Sequence, residues 1–303
     1  MRIGMISIAL AATMSTAIAA ETVEIYSSIP VSGTGGQIGL GITQILNTVQ
    51  DKREYKFVNA PGAQGDTSVL RAMQNSKLGQ NVVIFNGVST YTFNRLANPS
   101  PGFDRDKDLI YSVGIGKNAL GIMINPDSPI KNLDELVSSL KKKEKSYFAT
   151  TLTAPASIML NEIFVKKYGL TGIQQINYKT PQEIILALQN KEADYTLFTV
   201  PDMTNLKAVL VSSDKRLVSF PDAPTAKEAG FDEFNLSSIL VYAVPADRKD
   251  FVKTFEEDMA LACKNPKFEM VSKIRAPYLS YCLTPQESKS VIENELTLLN
   301  KYK

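Results

Sequence analysis

The sequence predicts an α/β fold of two lobes, each with a mixed, mostly parallel sheet flanked by helices. Strand-like and helix-like hydrophobic patterns alternate along the chain, and strands separated by helices imply parallel sheets with helices on both faces. The strand patterns are too numerous for one sheet, and a length of 303 residues favours two lobes over a single core. No long Pro/Ser linker is present, so we expect the chain to cross between the lobes directly through strands.

The first segment, 1–20, is predicted to be a secretory signal peptide. Arg2 gives a short basic start, and an uncharged run leads to Ala17 and Ala19, which have the A-x-A spacing of a leader-peptidase site. A membrane anchor is the alternative. It is disfavoured because the run is short for a membrane span and no basic cluster follows it. We therefore expect an exported mature chain.

The first part of the chain alternates strands with helices. Val23 and Ile25 alternate with polar residues, which is the pattern of a strand. Ile38, Ile42 and Leu46 recur at helical spacing and mark the apolar face of a helix. In this part we predict strands at 22–29, 55–59, 81–85, 109–115 and 120–124, and helices at 38–49 and 67–74.

The second part continues the alternation with clearer helix starts. Asn132 precedes an apolar-periodic run and is the expected N-cap of a helix. Pro155 stands near the start of another helix, where a proline is tolerated. Here we predict strands at 146–150, 174–178, 195–199, 208–211 and 239–244, a helix opening at 132, and helices at 156–167, 181–190, 251–264 and 285–300.

The composition excludes several classes of function. The chain has no histidine, so a Ser-His-Asp or Cys-His system has no imidazole to use, and two cysteines cannot build a structural zinc site. A net charge of +2 is too small for a nucleic-acid surface. A Ser-Lys hydrolase is disfavoured because no Gly-x-Ser-x-Gly elbow occurs. The composition therefore favours no catalytic residues, metal ions or cofactors.

The two cysteines form the one pair available for a disulfide, which export would allow. Cys263 lies at the end of a predicted helix, and Cys282 lies in a short extended run. Two interpretations stay open. A helix-to-strand disulfide is slightly favoured, and two free cysteines buried as small apolar side chains are the alternative.

Uncharged turns at strand ends form the candidate ligand site, because ligands of open α/β sheets bind outside the carboxyl ends of the strands. The stretches 25–50, 80–94 and 146–161 contain no Asp, Glu, Lys or Arg. Helix N-termini can hold an anion through backbone N–H groups and the helix dipole, and glycines let the main chain approach closely. A tight connection without a ligand explains one glycine-rich turn better, but several such turns favour a site.

The candidate ligand-binding residues are small or carry hydroxyl groups. From the first lobe they are Ser28, Ser32, Gly33, Thr34, Gly35, Ala63, Gln64, Gly65, Ser89 and Thr90. From the second lobe they are Thr150, Thr151, Ser157 and Thr199. Each hydrogen bond to a charged carboxylate contributes roughly 1.5–3 kcal/mol, so two or three donors give useful affinity without an arginine. N-capping and turn hydrogen bonds are the alternative roles for isolated hydroxyls.

Two segments carry a family resemblance. Residues 61–65, Pro-Gly-Ala-Gln-Gly, resemble the Pro-Gly-Ala-Gly-Gly turn of the tripartite tricarboxylate transporter receptors, the Bug family of periplasmic solute-binding proteins. Residues 220–231, Phe-Pro-Asp-Ala-Pro-Thr-Ala-Lys-Glu-Ala-Gly-Phe, are similar to that family's Pro-Asp-Val-Pro-Thr-x-x-Glu-Ala-Gly segment and are the more specific match. The resemblance covers nearly the whole mature chain. It implies a type II periplasmic-binding-protein fold whose lobes close on a ligand.

The resemblance also implies a role. The protein would capture a small organic carboxylate in the cleft between the lobes, largely through main-chain amides and hydroxyls, and deliver it to a membrane permease as a periplasmic monomer. We place lobe 1 at 21–121 and 240–303, and lobe 2 at 122–239. A ligand-sensing adaptor that signals to a membrane partner without transport is the alternative, because both functions need the same cleft.

Three positions depart from the family pattern. The first loop has Gly35-Gly36-Gln37 where the family commonly has Gly-Gly-x-Thr-Asp, and residues 154–158 replace a Gly-Ser-x-x-His segment. Thr199 stands about where some members place an Asp that could pair with a ligand amine. These departures make an amino-acid ligand less favoured.

Overall fold

The computed structural model describes residues 20–99, 101–151, 154–200, 203–213, 215–234, 236–275 and 282–302. The predicted signal peptide lies outside these residues apart from Ala20. The strands are β1 Glu21–Ser27, β2 Arg53–Asn59, β3 Asn81–Gly87, β4 Leu109–Ile124, β5 Ser146–Thr151, β6 Ile173–Tyr178, β7 Tyr195–Thr199, β8 Lys207–Val211, β9 Ser237–Pro245 and β10 Cys282–Leu283. The helices are α1 Thr34–Val49, α2 Asp66–Lys77, α3 Asn94–Ala97, α4 Leu133–Lys141, α5 Pro155–Tyr168, α6 Pro181–Gln189, α7 Lys249–Lys264, α8 Pro266–Arg275 and α9 Pro285–Tyr302.

The strands form one long sheet with two halves that share β4. Across the sheet the order is β2-β1-β3-β9-β4-β7-β5-β6, and β8 and β10 also pair with β4. In the first half, β1 is parallel to both β2 and β3, and β9 is antiparallel to β3 and β4. In the second half, β5 is parallel to both β6 and β7, and β7 is antiparallel to β4. Each half thus contains three neighbouring parallel strands with helical crossovers, completed by antiparallel pairing into the mixed sheet that the sequence predicts.

Strand β4 corrects one prediction, because it runs unbroken through the two strands expected at 109–115 and 120–124. Its pairing with β9 shifts register between Ile115 and Asn118, and Gly116 has a φ of 70°. Glycine tolerates this left-handed conformation, which marks a bulge within a strand. Ala119 still pairs with β9, whereas Leu120 pairs with β7. The chain thus passes between the halves through a strand.

Helix α8 was missed by the sequence analysis, and it packs on α1. A Cβ built on Gly41 of α1 would lie 2.6 Å from Cγ1 of Val271 of α8, so glycine permits this close approach. Next to it, a disulfide joins Cys263 of α7 to Cys282 of β10, with the Cα atoms 6.1 Å apart. The structure therefore has the disulfide, which was one of the two arrangements that the sequence left open.

Helix α9 contacts the cores of both halves. Ile292 packs with residues of the first half such as Val241, whereas Leu298 and Leu299 pack in the core of the second half. The middle of α9 therefore lies where the two halves meet. Within the described residues, no helix combines the length and the apolar character needed to cross a bilayer.

Candidate ligand-binding site

The carboxyl ends of β1, β2 and β3 border an open cavity of about 600 Å³, here called the first cavity. These three strands are parallel neighbours, so the loops that follow them meet at one edge of the sheet. None of the described lining residues carries a charge. The lining residues are Ser28, Ile29, Pro30, Pro61, Gly62, Ala63, Gln64, Gly65, Gly87, Ser89 and Thr90.

The turn after β2 has an unusual backbone. Four consecutive residues have positive φ: Gly62 at 130°, Ala63 at 45°, Gln64 at 53° and Gly65 at 112°. Two of them are not glycine, and such conformations are strained for residues with a Cβ atom unless the surroundings hold them. A Cβ on Gly65 would lie 2.6 Å from both Cγ2 and Oγ1 of Thr90, so this position requires glycine. We call residues 62–65 the left-handed turn.

A buried ion pair supports this turn from below. The Arg105 guanidinium donates from Nη2 to Oδ1 of Asp66 at 2.7 Å and from Nε to the Thr90 carbonyl at 3.2 Å. Asn98 donates to the other Asp66 oxygen at 2.7 Å. Burial raises the pKa of Asp66, and the Arg105 charge opposes that rise. Asp66 neutralises Arg105, which therefore lends no net charge to the cavity above it.

Asn86 joins the three loops, and the sequence analysis missed it. Its Oδ1 accepts hydrogen bonds from the Ser28 backbone N–H at 2.9 Å and from the Ser28 hydroxyl at 2.8 Å. Its Nδ2 donates to the Ser68 hydroxyl at 2.9 Å, which donates to the Gly65 carbonyl at 2.7 Å. The signal was present, because Asn86 is a polar residue at the end of an otherwise apolar buried strand.

A second, smaller cavity of about 160 Å³ lies between the two halves. Its walls come from the start of α5, from β7 and from β9, as well as from the loop after β3. Ser89 lines both cavities, so the two adjoin. The lining residues are Val88, Ser89, Leu120, Ala154, Ala156, Ser157, Leu197, Phe198, Thr199, Ser238 and Glu295.

The structure brings together most of the residues that the sequence nominates. Six line the first cavity, and two more line the second together with Ser89. In the first cavity they are Ser28, Ala63, Gln64, Gly65, Ser89 and Thr90, and in the second they are Ser157 and Thr199. Thr150 and Thr151 are buried at the end of β5, where the Thr150 hydroxyl donates to Ser157 Oγ at 3.0 Å.

The first glycine-rich turn lies apart from both cavities. The residues expected there, Ser32, Gly33, Thr34 and Gly35, line neither cavity. The Gly33 N–H donates to the Pro30 carbonyl at 2.9 Å, and a Cβ on Gly36 would lie 2.1 Å from that carbonyl oxygen. Tight packing of the chain at the start of α1 therefore explains Gly36 without a ligand.

Glu295 is the second residue that the sequence analysis missed. It is 3% exposed, lines the second cavity and contacts the Thr92 hydroxyl through Oε2. Burial raises the pKa of Glu295 to about 8, and the hydrogen bond with the Thr92 hydroxyl opposes part of that rise. Among the described residues that line the two cavities, it is the one with an ionisable side chain. Its spacing from Ile292 and Leu299 puts an acid on the apolar face of α9, and this signal could have found it.

The chain also matches a known receptor family. The sequence model described as "Tripartite tricarboxylate transporter family receptor" matches residues 59–296, which is most of the chain. The chain belongs to this family. The resemblance seen in residues 61–65 and 220–231 is thereby confirmed, because both segments lie within the matched range.

Known proteins of this kind are similar over long stretches. Protein BugT of Bordetella pertussis is 23% identical over 220 residues, covering 70% of this chain and 67% of BugT. The structure of the periplasmic binding protein BugD superposes with a TM-score of 0.72 at 19% identity, covering 93% of this chain and 97% of BugD. The structure of MatC from Rhodopseudomonas palustris, solved with bound malate, superposes with a TM-score of 0.73 at 15% identity, covering 93% of this chain and 99% of MatC. The predicted α/β fold of the type II periplasmic binding proteins is thus confirmed.

Proposed function

We propose that this protein is an exported receptor that binds a small organic carboxylate across the two adjoining cavities and delivers it to a membrane permease. One observation carries the proposal. Three uncharged loops at the carboxyl ends of parallel strands, one of them held in a left-handed turn, surround a cavity without any basic side chain. Such a cavity suits an anion that is held by peptide dipoles and hydroxyl groups.

The donors for the anion come from the turn and from helix α2. Gly65 stands at the N-cap of α2 and provides no side-chain acceptor, so no cap competes for the first N–H groups of the helix. Thr90, Ser89 and Ser28 add hydroxyl groups around the cavity. The malate bound to MatC, a protein of the same fold, supports a carboxylate as the ligand class.

Binding would close two lobes that correspond to the halves of the sheet. The expected lobes are 21–121 with 240–303, and 122–239. Their boundary in β4 lies close to the point where this strand stops pairing with β9 and begins to pair with β7. Rotation about β4 and β9 would narrow the second cavity, which lies between the halves. In this proposal the protein acts as a periplasmic monomer and performs no covalent chemistry.

A thermal-shift panel of dicarboxylates, tricarboxylates and aromatic acids, followed by calorimetry, tests the proposal. A ligand at one hundred times its Kd stabilises the folded state by about 2.7 kcal/mol, which corresponds to a rise of roughly 4–5 °C in Tm for a chain of this size. Gly87→Val serves as the site variant, because a Cβ there meets only Ser89 Oγ, at 3.9 Å, and Gly87 lines the first cavity. We expect the variant to fold with unchanged Tm and to lose the stabilisation. If no carboxylate stabilises the wild-type protein, the proposal is wrong.

A further inference from the structure

The acid Glu295 lies at the junction of the two halves and faces the cavity between them. Its helix, α9, is anchored by Ile292 in the first half and by Leu299 in the second. Glu295 itself is 97% buried and lines the cavity together with Thr199 of β7 and Ser157 of α5. This position places a carboxyl group opposite the second-half wall of the cavity.

The two contacts of the Thr92 hydroxyl fit a protonated Glu295. The Thr92 hydroxyl contacts two oxygens, Glu295 Oε2 and the Val88 carbonyl, the latter at 3.2 Å. A hydroxyl has one hydrogen and can donate it to one of them. Both contacts become hydrogen bonds when Glu295 donates to Thr92 and Thr92 donates to Val88.

The electrostatic surroundings agree with a neutral acid. Burial raises the pKa of Glu295 to about 8, and no charged side chain contributes to that shift among the residues described. The titratable groups that share the core around α9 include Tyr91 and Tyr111, whose pKa values burial raises, so they are neutral at pH 7. On α9 itself, Glu293 is exposed.

The free oxygen of Glu295 needs a hydrogen-bond donor from the ligand. When Oε2 shares its proton with Thr92, Oε1 is an acceptor that has no partner within the described part of the chain. The lining hydroxyls of Ser89 and Ser238 can also accept hydrogen bonds, and no lining residue is a cation. A second carboxylate has no donor to offer at this end of the site, whereas an ammonium group has three.

We propose that Glu295 is a ligand-contacting residue that selects a protonated amine, so that the ligand is an amino carboxylate. This inference rests on the proposed function, in which the left-handed turn and its neighbours hold the carboxylate end. The ammonium end then lies in the second cavity and pairs with Glu295. Thr199 stands where some family members place an acid, and Glu295 supplies an acid to the same cavity from α9. This inference runs against the sequence-based expectation that an amino-acid ligand is less favoured.

Proton release is the signature of this arrangement. An ammonium ion pairs with the ionised carboxylate, so the proton on Glu295 leaves to the buffer when the ligand binds. The Thr92 hydroxyl then turns from the Val88 carbonyl to Oε2 of Glu295. The affinity for the amino carboxylate therefore rises about tenfold per pH unit as the pH increases towards 8. Above pH 8 the affinity levels off, because Glu295 is already ionised before the ligand binds.

The test compares ligands of equal chain length that differ only at one end: ω-amino carboxylates, ω-hydroxy carboxylates and α,ω-dicarboxylates of three to six carbons. An ω-amine titrates at about 10, well above the pH range used, so its own ionisation does not interfere. Calorimetry at pH 6.5 in two buffers of different ionisation enthalpy counts the protons released. Glu295→Gln is the test variant, and Glu293→Gln, on the exposed side of the same helix, is the matched control.

The inference predicts that amino carboxylates bind tightest in the wild-type protein and release close to one proton. In Glu295→Gln they bind at least tenfold more weakly with no proton release, while Glu293→Gln is unchanged. A preference for dicarboxylates, binding without proton release, or unchanged affinity in Glu295→Gln overturns the inference. In those cases the proposed function stands if Gly87→Val still abolishes binding. If no member of the panel binds, both proposals are wrong.

Discussion

Gly65→Ala tests whether the left-handed turn is held by its surroundings. Gly65 has a φ of 112° and a ψ of −19°, which a residue with a Cβ adopts only under strain. That strain costs about 1–3 kcal/mol. The added Cβ would lie 2.6 Å from two atoms of Thr90, and relieving such an overlap costs about 1–3 kcal/mol more.

We therefore expect Gly65→Ala to lower the free energy of unfolding by about 2–6 kcal/mol. Moving Thr90 also weakens its hydroxyl bond to the Gln64 carbonyl, now 3.3 Å long, so ligand affinity falls as well. Urea unfolding followed by far-UV circular dichroism measures the first effect. Calorimetry with the tightest carboxylate of the panel measures the second.

Gly87→Ala is the matched control for this experiment. Gly87 has a φ of −63°, which alanine adopts freely, and the nearest heavy atom to its built Cβ is 3.9 Å away. The free energy of unfolding of Gly87→Ala should stay within about 1 kcal/mol of the wild-type value. Any change should be an increase, because alanine restricts the conformations of the unfolded chain. If Gly65→Ala unfolds at the same urea concentration as Gly87→Ala, the turn is not fixed in the left-handed conformation, and the reasoning fails.

Three further predictions concern the elements around the site. Cys263→Ser should lower the free energy of unfolding by about 3 kcal/mol, because the disulfide closes a loop with a sequence separation of 19, and a reductant should have no effect on the variant. Asn86→Leu should cost roughly 1–3 kcal/mol by removing the hydrogen bonds of Asn86 to the half-buried Ser28 and the buried Ser68, and equal urea midpoints would contradict this. Glu295 has a folded pKa of about 8, raised above that of the unfolded chain. Below pH 4 this carboxyl group is protonated in both the folded and the unfolded chain. Between about pH 4.5 and 8, the free energy of unfolding of the wild type should fall relative to that of Glu295→Gln by roughly 1.4 kcal/mol per pH unit. Parallel profiles of unfolding free energy against pH would refute the buried neutral acid.

Periodicity alone recovered most strands and helices, and it failed where glycines interrupt a continuous element. Gly116, Lys117 and Asn118 interrupt the apolar pattern of β4, so the sequence suggests two strands. In the structure a bulge accommodates the interruption, and pairing with β9 and β7 holds the strand together. Those partners lie far away in the sequence, and a local pattern contains no information about them.

The candidate site was predicted in part, for a related reason. A glycine required by a ligand and a glycine required by packing look the same in a sequence. Gly65 belongs to the cavity wall, whereas Gly36 is explained by its contact with the Pro30 backbone. Glu295 escaped notice because it lies more than ninety residues from the other residues of its cavity, except Ser238. Only the docking of α9 on both halves brings it there.

The position of the charges explains how one site can distinguish the two ends of its ligand. A guanidinium, Arg105, lies under the left-handed turn, but Asp66 neutralises it. A buried ion pair adds little net stability, so its contribution here is to fix the backbone of residues 62–66 and the Thr90 carbonyl. With no free cation beneath it, this end attracts an anion only through oriented peptide groups, which require close and directional contact. At the other end, in the arrangement that we propose, Glu295 at pH 7 acquires its charge when a cationic partner binds. Each end would then reject the group that the other accepts, and that difference would set the orientation of a bound amino carboxylate.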